Sequence, residues 1–242
     1  MLKVERLVKQ YPPENPILKG LSFEVEPGQF VAVVGASGSG KTTLLKCIAM
    51  RESWTSGKLY VDGADIFAQH VQGKRKVRRE YAYLEQSPML SSDRTALKNV
   101  LIGRFHQTPL WRMVTGMIRS DDYMGAMDTI EALGLLDKAH KRTGELSGGE
   151  KQRIAIARAL VHGARVLLMD EPVLGLDPAS ADSVMSTLRN LCMRERKTVI
   201  GVFHQLELAE KYATRIIGLA EGEIVLDVQG RRLLQSERAR IL

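Results

Sequence analysis

"FVAVVGASGSGKTT", residues 30–43, decides how the rest of the chain is read. Phe30 to Val34 form a short, continuous apolar run, the pattern of a strand buried on both faces. A Gly/Ser-rich loop follows, and then the helical pattern "KTTLLKCIAM". Gly35, Gly40, Lys41 and Thr42 meet the spacing G-x-x-x-x-G-K-[ST], in the strand-before, helix-after context that this phosphate loop requires. Glycines here let backbone N–H groups approach phosphate oxygens with no Cβ in the way. The expected cradle is Gly35, Ala36, Ser37, Gly38, Ser39, Gly40, Lys41, Thr42 and Thr43. Lys41 is expected to reach the β- and γ-phosphates of a nucleotide, and the Thr42 hydroxyl to face Mg²⁺.

Working outward, "RVLLMDEP" (165–172) is a second buried apolar run, ending in Asp170 and Glu171. Such a strand delivers two carboxylates to the C-terminal sheet edge, where α/β proteins bind ligands. Asp170 suits Mg²⁺, directly or through its water shell, and Glu171 suits the polarising of an attacking water. "KTVIGVF" and "LELAEKYA" continue the strand–helix alternation, which predicts an α/β fold with a parallel sheet. The first third differs. "MLKVERLVKQY", "ILKGLSFEVEPGQ" and "GKLYVDGADI" are half-alternating strands with Pro-Gly and Asp-Gly turns, the signature of an antiparallel sheet. From about Thr95 to Lys141 the strand signal gives way to helical patterns. The chain therefore reads as one domain of 242 residues. Residues 1–94 and 164–242 form an α/β core with an N-terminal antiparallel β-subdomain, and about 95–163 form an inserted helical subdomain.

Composition excludes several classes. The chain is 44% hydrophobic and 26% charged, ordinary for a folded soluble domain and unlike a disordered or fibrous one. No apolar run approaches the roughly 20 residues that span a bilayer. The opening "MLKVERLVKQYPPENP" lacks a signal-peptide apolar region, so a cytosolic chain is expected. Cys47 and Cys192 have no metal-ligand spacing and read as buried, reduced thiols. The formal charge of +7 is densest in "GKRKVRRE" (73–80), which reads as a solvated face or a contact with lipid headgroups. It has no interleaved aromatics, and no nucleic-acid partner is expected.

A further stretch, "LSGGEKQRIAIARAL" (146–160), reads as a helix start capped by Ser147, with exposed N–H groups that form a second anion site. With this motif in place, the sequence resembles the ATP-binding-cassette family along nearly its whole length. "LSGGE" resembles the family's signature, with Glu150 in place of the usual Gln. "GLDP" (175–178) resembles its D-loop, with Asp177. His204 in "VFHQ" matches the switch histidine, and Gln86 in "YLEQSP" the loop glutamine that joins core and helical subdomain. Tyr11 stands where the family places an adenine-stacking aromatic. The resemblance implies ATP and Mg²⁺ as cofactors, with Glu171, His204, Gln86 and Asp177 catalytic and Thr42, Gln86 and Asp170 around the metal. It also implies a head-to-tail dimer with a second copy, in which Ser147, Gly148, Gly149 and Glu150 meet the partner's ATP. Three departures stand out: Glu150, Glu85 before the loop glutamine, and "PVLGLD" before the D-loop.

"FHQLELAEKYATRIIGLAEGEIVLD" (203–227) and "NVLIGRFHQTPLWRMVTGMIRSDD" (99–122) resemble the ATPases of phosphonate-type importers. Trp111, Met113 and Ile118 in the latter read as subdomain core, permease contact, or both. The resemblance implies a peripheral ATPase at the cytoplasmic face of the inner membrane. Its partners would be integral membrane permease subunits and, indirectly, an extracytoplasmic substrate-binding protein. Phosphonate, phosphite or hypophosphite would be the cargo. The alternatives are a soluble cassette attached to a phosphonate-degrading enzyme complex, or the ATPase of another system such as lipoprotein release or export.

Overall fold

The computed structural model describes the chain except residues 13–14, 67, 70, 108–118 and 242, and except the side chains of 71, 72, 76 and 105–107. Trp111, Met113 and Ile118 therefore lie outside the described residues.

Two sheets carry the fold. In the first, β1 (Leu2–Tyr11) pairs antiparallel with β2 (Asn15–Val25) and β4 (Ser56–Val61), and β4 with β5 (Ala64–Asp65), giving the order β2-β1-β4-β5. Leu2 and Val4 face Val25 and Phe23 on one side and Val61 and Leu59 on the other. Period-2 alternation puts these apolar residues on the covered face. The ladder is broken at Arg6, which has φ 46. Gly57 is required opposite it, because a Cβ there would stand 2.3 Å from the Arg6 carbonyl oxygen.

The second sheet has the order β10-β9-β3-β8-β7-β6. Its strands are β3 (Phe30–Val34), β6 (Tyr81–Leu84), β7 (Val166–Asp170), β8 (Thr198–Val202), β9 (Arg215–Ala220) and β10 (Glu223–Gln229). All neighbours are parallel except β9 and β10. That edge hairpin departs from the parallel sheet expected from strand–helix alternation. Its turn is Glu221–Gly222, with φ 48 and 80, the two positive values that a tight hairpin needs.

Central strand β3 shows why its sequence is apolar throughout. Phe30, Ala32 and Val34 join one core cluster, and Val31 and Val33 join the other. The first cluster is closed by α3 (Ala96–Leu101), α4 (Ser120–Ala132), α5 (Gly148–Val161) and α6 (Pro178–Glu195), the second by α1 (Lys41–Ile48) and the antiparallel sheet. Helix α2 (Val71–Arg79) lies beside β6, α7 (Leu206–Tyr212) packs on α6, and α8 (Gln235–Arg238) is a short C-terminal turn. Cys47 and Cys192 are both buried and unpaired, and burial pushes each thiol up to about 12. Among the described residues no helix is long and apolar enough to cross a membrane.

Candidate functional site

The loop between β3 and α1 takes its shape from three glycines at positive φ: Gly35 (149), Gly38 (82) and Gly40 (97). A Cβ on Gly35 would fall 2.0 Å from the Leu219 carbonyl oxygen, so no other residue closes this turn against β9. Lys41 is buried and folds back over the loop, its Nζ donating to the carbonyls of Gly35 at 2.8 Å and Ala36 at 2.7 Å. Burial lowers the Lys41 pKa, while the nearby Glu171 and Asp170 carboxyls act in the opposite sense. The ammonium thus sits in a ring of oxygen acceptors, a position that phosphate oxygens can share. Ala36, Ser37 and Gly38 are exposed, whereas Ser39 and Gly40 are buried.

Strand β7 brings the acidic pair to this loop. Thr42 Oγ1 donates to Asp170 Oδ1 at 3.0 Å, joining α1 to the end of β7 across the sheet edge. Asp170 is 2% exposed, and that burial raises its carboxyl pKa above the usual range. The hydroxyl–carboxylate pair is a hard-oxygen donor set of the kind Mg²⁺ prefers.

Glu171 follows at φ 50, a left-handed backbone that costs a non-glycine residue about 1–3 kcal/mol and clusters at functional sites. Its N–H donates to the Val202 carbonyl at 3.1 Å, so β8 fixes the turn. The carboxylate is clamped on both sides. Gln86 Nε2 donates to Oε2 at 2.9 Å, and His204 Nε2 lies 2.7 Å from Oε1. Gln86 follows β6 and His204 follows β8, so three strand ends converge on one buried carboxylate. A carboxylate held this way, beside a phosphate cradle and a metal-suited pair, can orient a water and accept its proton.

The other sequence-derived residues do not all join this cluster. Asp177 caps α6, accepting from the Ser180 N–H at 2.9 Å, and no hydrogen bond takes it to Glu171. Tyr11 is 37% exposed and rests on Lys9, whose Nζ stands 4.4 Å from the ring centroid. Lys9 is itself fixed by Glu52 at 2.8 Å.

Ser147 caps α5 in a full capping box: the Glu150 N–H donates to Ser147 Oγ at 3.3 Å, and the Ser147 N–H to Glu150 Oε2 at 2.8 Å. Ser147 and Gly148 are exposed, a Cβ on Gly148 would meet nothing within 4 Å, and no hydrogen bond joins this turn to its own phosphate loop. The anion-seeking turn is therefore open to a second molecule.

Two departures find their reason here. Glu150 ion-pairs with Lys138, and that ammonium, with the Ser147 N–H, holds its carboxyl down at about 2. Its charge is neutralised within the chain. Glu85 ion-pairs with Arg51, whose guanidinium also lies over the Tyr83 ring at 4.6 Å. Lys138, Lys9 and Arg51 were not singled out from sequence, because each pairing spans distant segments with no local signal.

Comparison with known proteins agrees with this geometry. Residues 18–174 match the family model described as ABC transporter. Among curated proteins the chain is 42% identical to the phosphonates import ATP-binding protein PhnC of Bdellovibrio bacteriovorus, over 93% of this chain and 87% of that one. It is 39% identical to the protein of the same name from Staphylococcus aureus (93% and 88% covered) and 38% to that from Lactococcus lactis subsp. cremoris (94% and 92%). Among solved structures it is similar to the dimeric, post-hydrolysis ATP-binding cassette MJ0796 bound to ADP and Pi. There the TM-score is 0.84 and the identity 28%, covering 96% of this chain and 100% of that chain. With the family's matched stretch running from β2 through the acidic pair, the chain belongs to the ABC transporter family and is one of its ATP-hydrolysing cassettes.

Proposed function

We propose that this cassette energises the import of a phosphonate, or of phosphite or hypophosphite, through a partner permease. The observation that carries the reading is identity of 38–42% over more than nine-tenths of the chain to proteins named phosphonates import ATP-binding protein. The "FHQLELAEKYATRIIGLAEGEIVLD" tract supports the same group.

In this reading Glu171 is the general base that takes the proton of the attacking water, and Gln86 and His204 hold its carboxylate toward that water. Lys41 and the N–H groups of residues 35–43 hold the β- and γ-phosphates of ATP, with Tyr11 under the adenine. Thr42, Asp170 and Gln86 would hold Mg²⁺, which would supply charge neutralisation at the phosphates. Ser147, Gly148, Gly149 and Glu150 serve the ATP of a second copy arranged head to tail, and Asp177 lies at that junction. The exposed Ser147–Gly148 turn, with open space beside Gly148, supports this arrangement.

The division into a core of 1–94 and 164–242 and a helical subdomain of about 95–163 belongs to the same proposal, supported by the mutual packing of α3, α4 and α5. Permease subunits would dock at the cytoplasmic membrane face. A cleft of about 360 Å³ where β6 meets α5, lined by Arg51, Tyr83, Gly103, Arg158 and His162 among others, supports a helix-in-groove contact there. The test is uptake of radiolabelled phosphonate, phosphite and hypophosphite in a strain lacking this gene. Loss of uptake of at least one, with phosphate uptake intact, is expected; unchanged uptake of all three would refute the substrate assignment.

A further inference from the structure

Gln152 is a polar side chain sealed inside the molecule, 8% exposed, in the second turn of α5. Its Nε2 donates to the Pro172 carbonyl oxygen at 3.1 Å, with both groups buried. Pro172 directly follows Glu171 and has no N–H, so the carbonyl is the only backbone handle at that position. The segment needs such a handle. Glu171 holds φ 50, and the turn that presents its carboxylate is pinned on one side by Val202, through the Glu171 N–H at 3.1 Å. Gln152 pins it on the other. The same face of α5 leans on the continuation of the turn: a Cβ on Gly149 would stand 3.4 Å from Leu176 Cδ2 and 3.8 Å from the Gly175 carbonyl oxygen.

We infer that Gln152 is a positioning residue for ATP hydrolysis: through the Pro172 carbonyl it sets the Glu171 carboxylate between Gln86 and His204. It acts through a backbone carbonyl rather than on the reacting atoms. Because Gln152 and the Ser147–Gly149 turn share one helix, the bond also ties the chain's own base to the turn that faces a second copy. The inference rests on the reading of Glu171 as general base.

Steady-state ATPase assays on the full-length chain test it. Gln152→Leu fills the space but donates nothing. It is expected to lower kcat at least 10-fold with KM for ATP changed less than about 3-fold, the split of an interaction that matters in the transition state. Added to Glu171→Gln, it is expected to cause no further loss and to leave ATP affinity unchanged.

Gln152→Glu supplies a readout that mere space-filling would not move. Its carboxyl can donate to Pro172 only when protonated, so its kcat relative to the parent is expected to rise as pH falls from 8 to 6. Gln152→Leu should show no such rise. If Gln152→Leu does not fold, the pH profile of Gln152→Glu decides alone.

Undiminished kcat in folded Gln152→Leu, or a flat relative pH profile for Gln152→Glu, would overturn the inference while leaving an inactive Glu171→Gln untouched. Full turnover in Glu171→Gln alone would overturn the base assignment and this inference with it.

Discussion

His204 Nε2 stands 2.7 Å from Oε1 of Glu171, at the mouth of a turn in which Glu171 itself is buried. The histidine comes from the end of β8 and the glutamate from the end of β7, so the contact depends on the parallel register that sets Asp170 beside Val202. With Gln86 on the other oxygen, the carboxylate has one orientation available. His204→Ala removes one of its two guides without touching the phosphate loop. If Glu171 is the general base as proposed, a fall in kcat of about 10²-fold is expected. ATP affinity measured by nucleotide titration should stay within a few-fold.

Lys41 answers to a different measurement. Its ammonium already donates to the Gly35 and Ala36 carbonyls, so it is held where a phosphate would lie. Lys41→Ala is expected to raise the Kd for ATP at least 10-fold, roughly 1.4 kcal/mol of binding. Circular dichroism should report an unchanged fold, and an unchanged Kd would remove Lys41 from the phosphate site.

Glu150→Gln separates the cap from the ion pair. Glutamine at this position still accepts from the Ser147 N–H and completes the capping box, but loses the Lys138 pair. The folded-state carboxyl is depressed from 4.5 to about 2. The stability it contributes is therefore fully present above about pH 4.5 and lost as pH falls through about 2. The thermal midpoint of Glu150→Gln should lie below the parent's at pH 7 by no more than a few degrees. That gap should narrow between pH 4.5 and pH 3, and added salt should shrink it too.

How much of this was legible in the sequence follows from the range of the forces involved. The phosphate loop, the acidic end of β7 and the Ser147 cap are set by neighbours within a few residues, and each has a motif with a local physical cause. The two-faced burial of β3 is likewise written in five apolar residues in a row. The antiparallel direction of β10 was not legible from strand–helix alternation, because it is fixed by two positive-φ residues at 221–222. Lys138 on Glu150, Arg51 on Glu85, Lys9 beneath Tyr11 and Gln152 on Pro172 were invisible for another reason. Each joins elements whose relative placement exists only after the sheets and helices have packed.

The open signature turn leads to a prediction in trans. If the turn serves a partner's ATP as proposed, then in a mixed dimer carrying Lys41→Ala in one copy and Ser147→Arg in the other both lesions fall on one composite site and the second site stays whole. Placing both in the same copy damages each site once. Trapped nucleotide per dimer, measured with Glu171→Gln throughout, is expected to be higher in the split arrangement. Equal trapping in the two would mean that the turn does not serve the partner's ATP.

The most direct measurement concerns Glu171 itself. ATP turnover and ATP occupancy are followed together in the purified Glu171→Gln chain, whose amide keeps the shape of the carboxylate and cannot take a proton. Hydrolysis is expected to fall at least 10²-fold while bound ATP is retained at the parent's affinity or tighter. Turnover within a few-fold of the parent would contradict the account, because the base would then lie elsewhere than between Gln86 and His204.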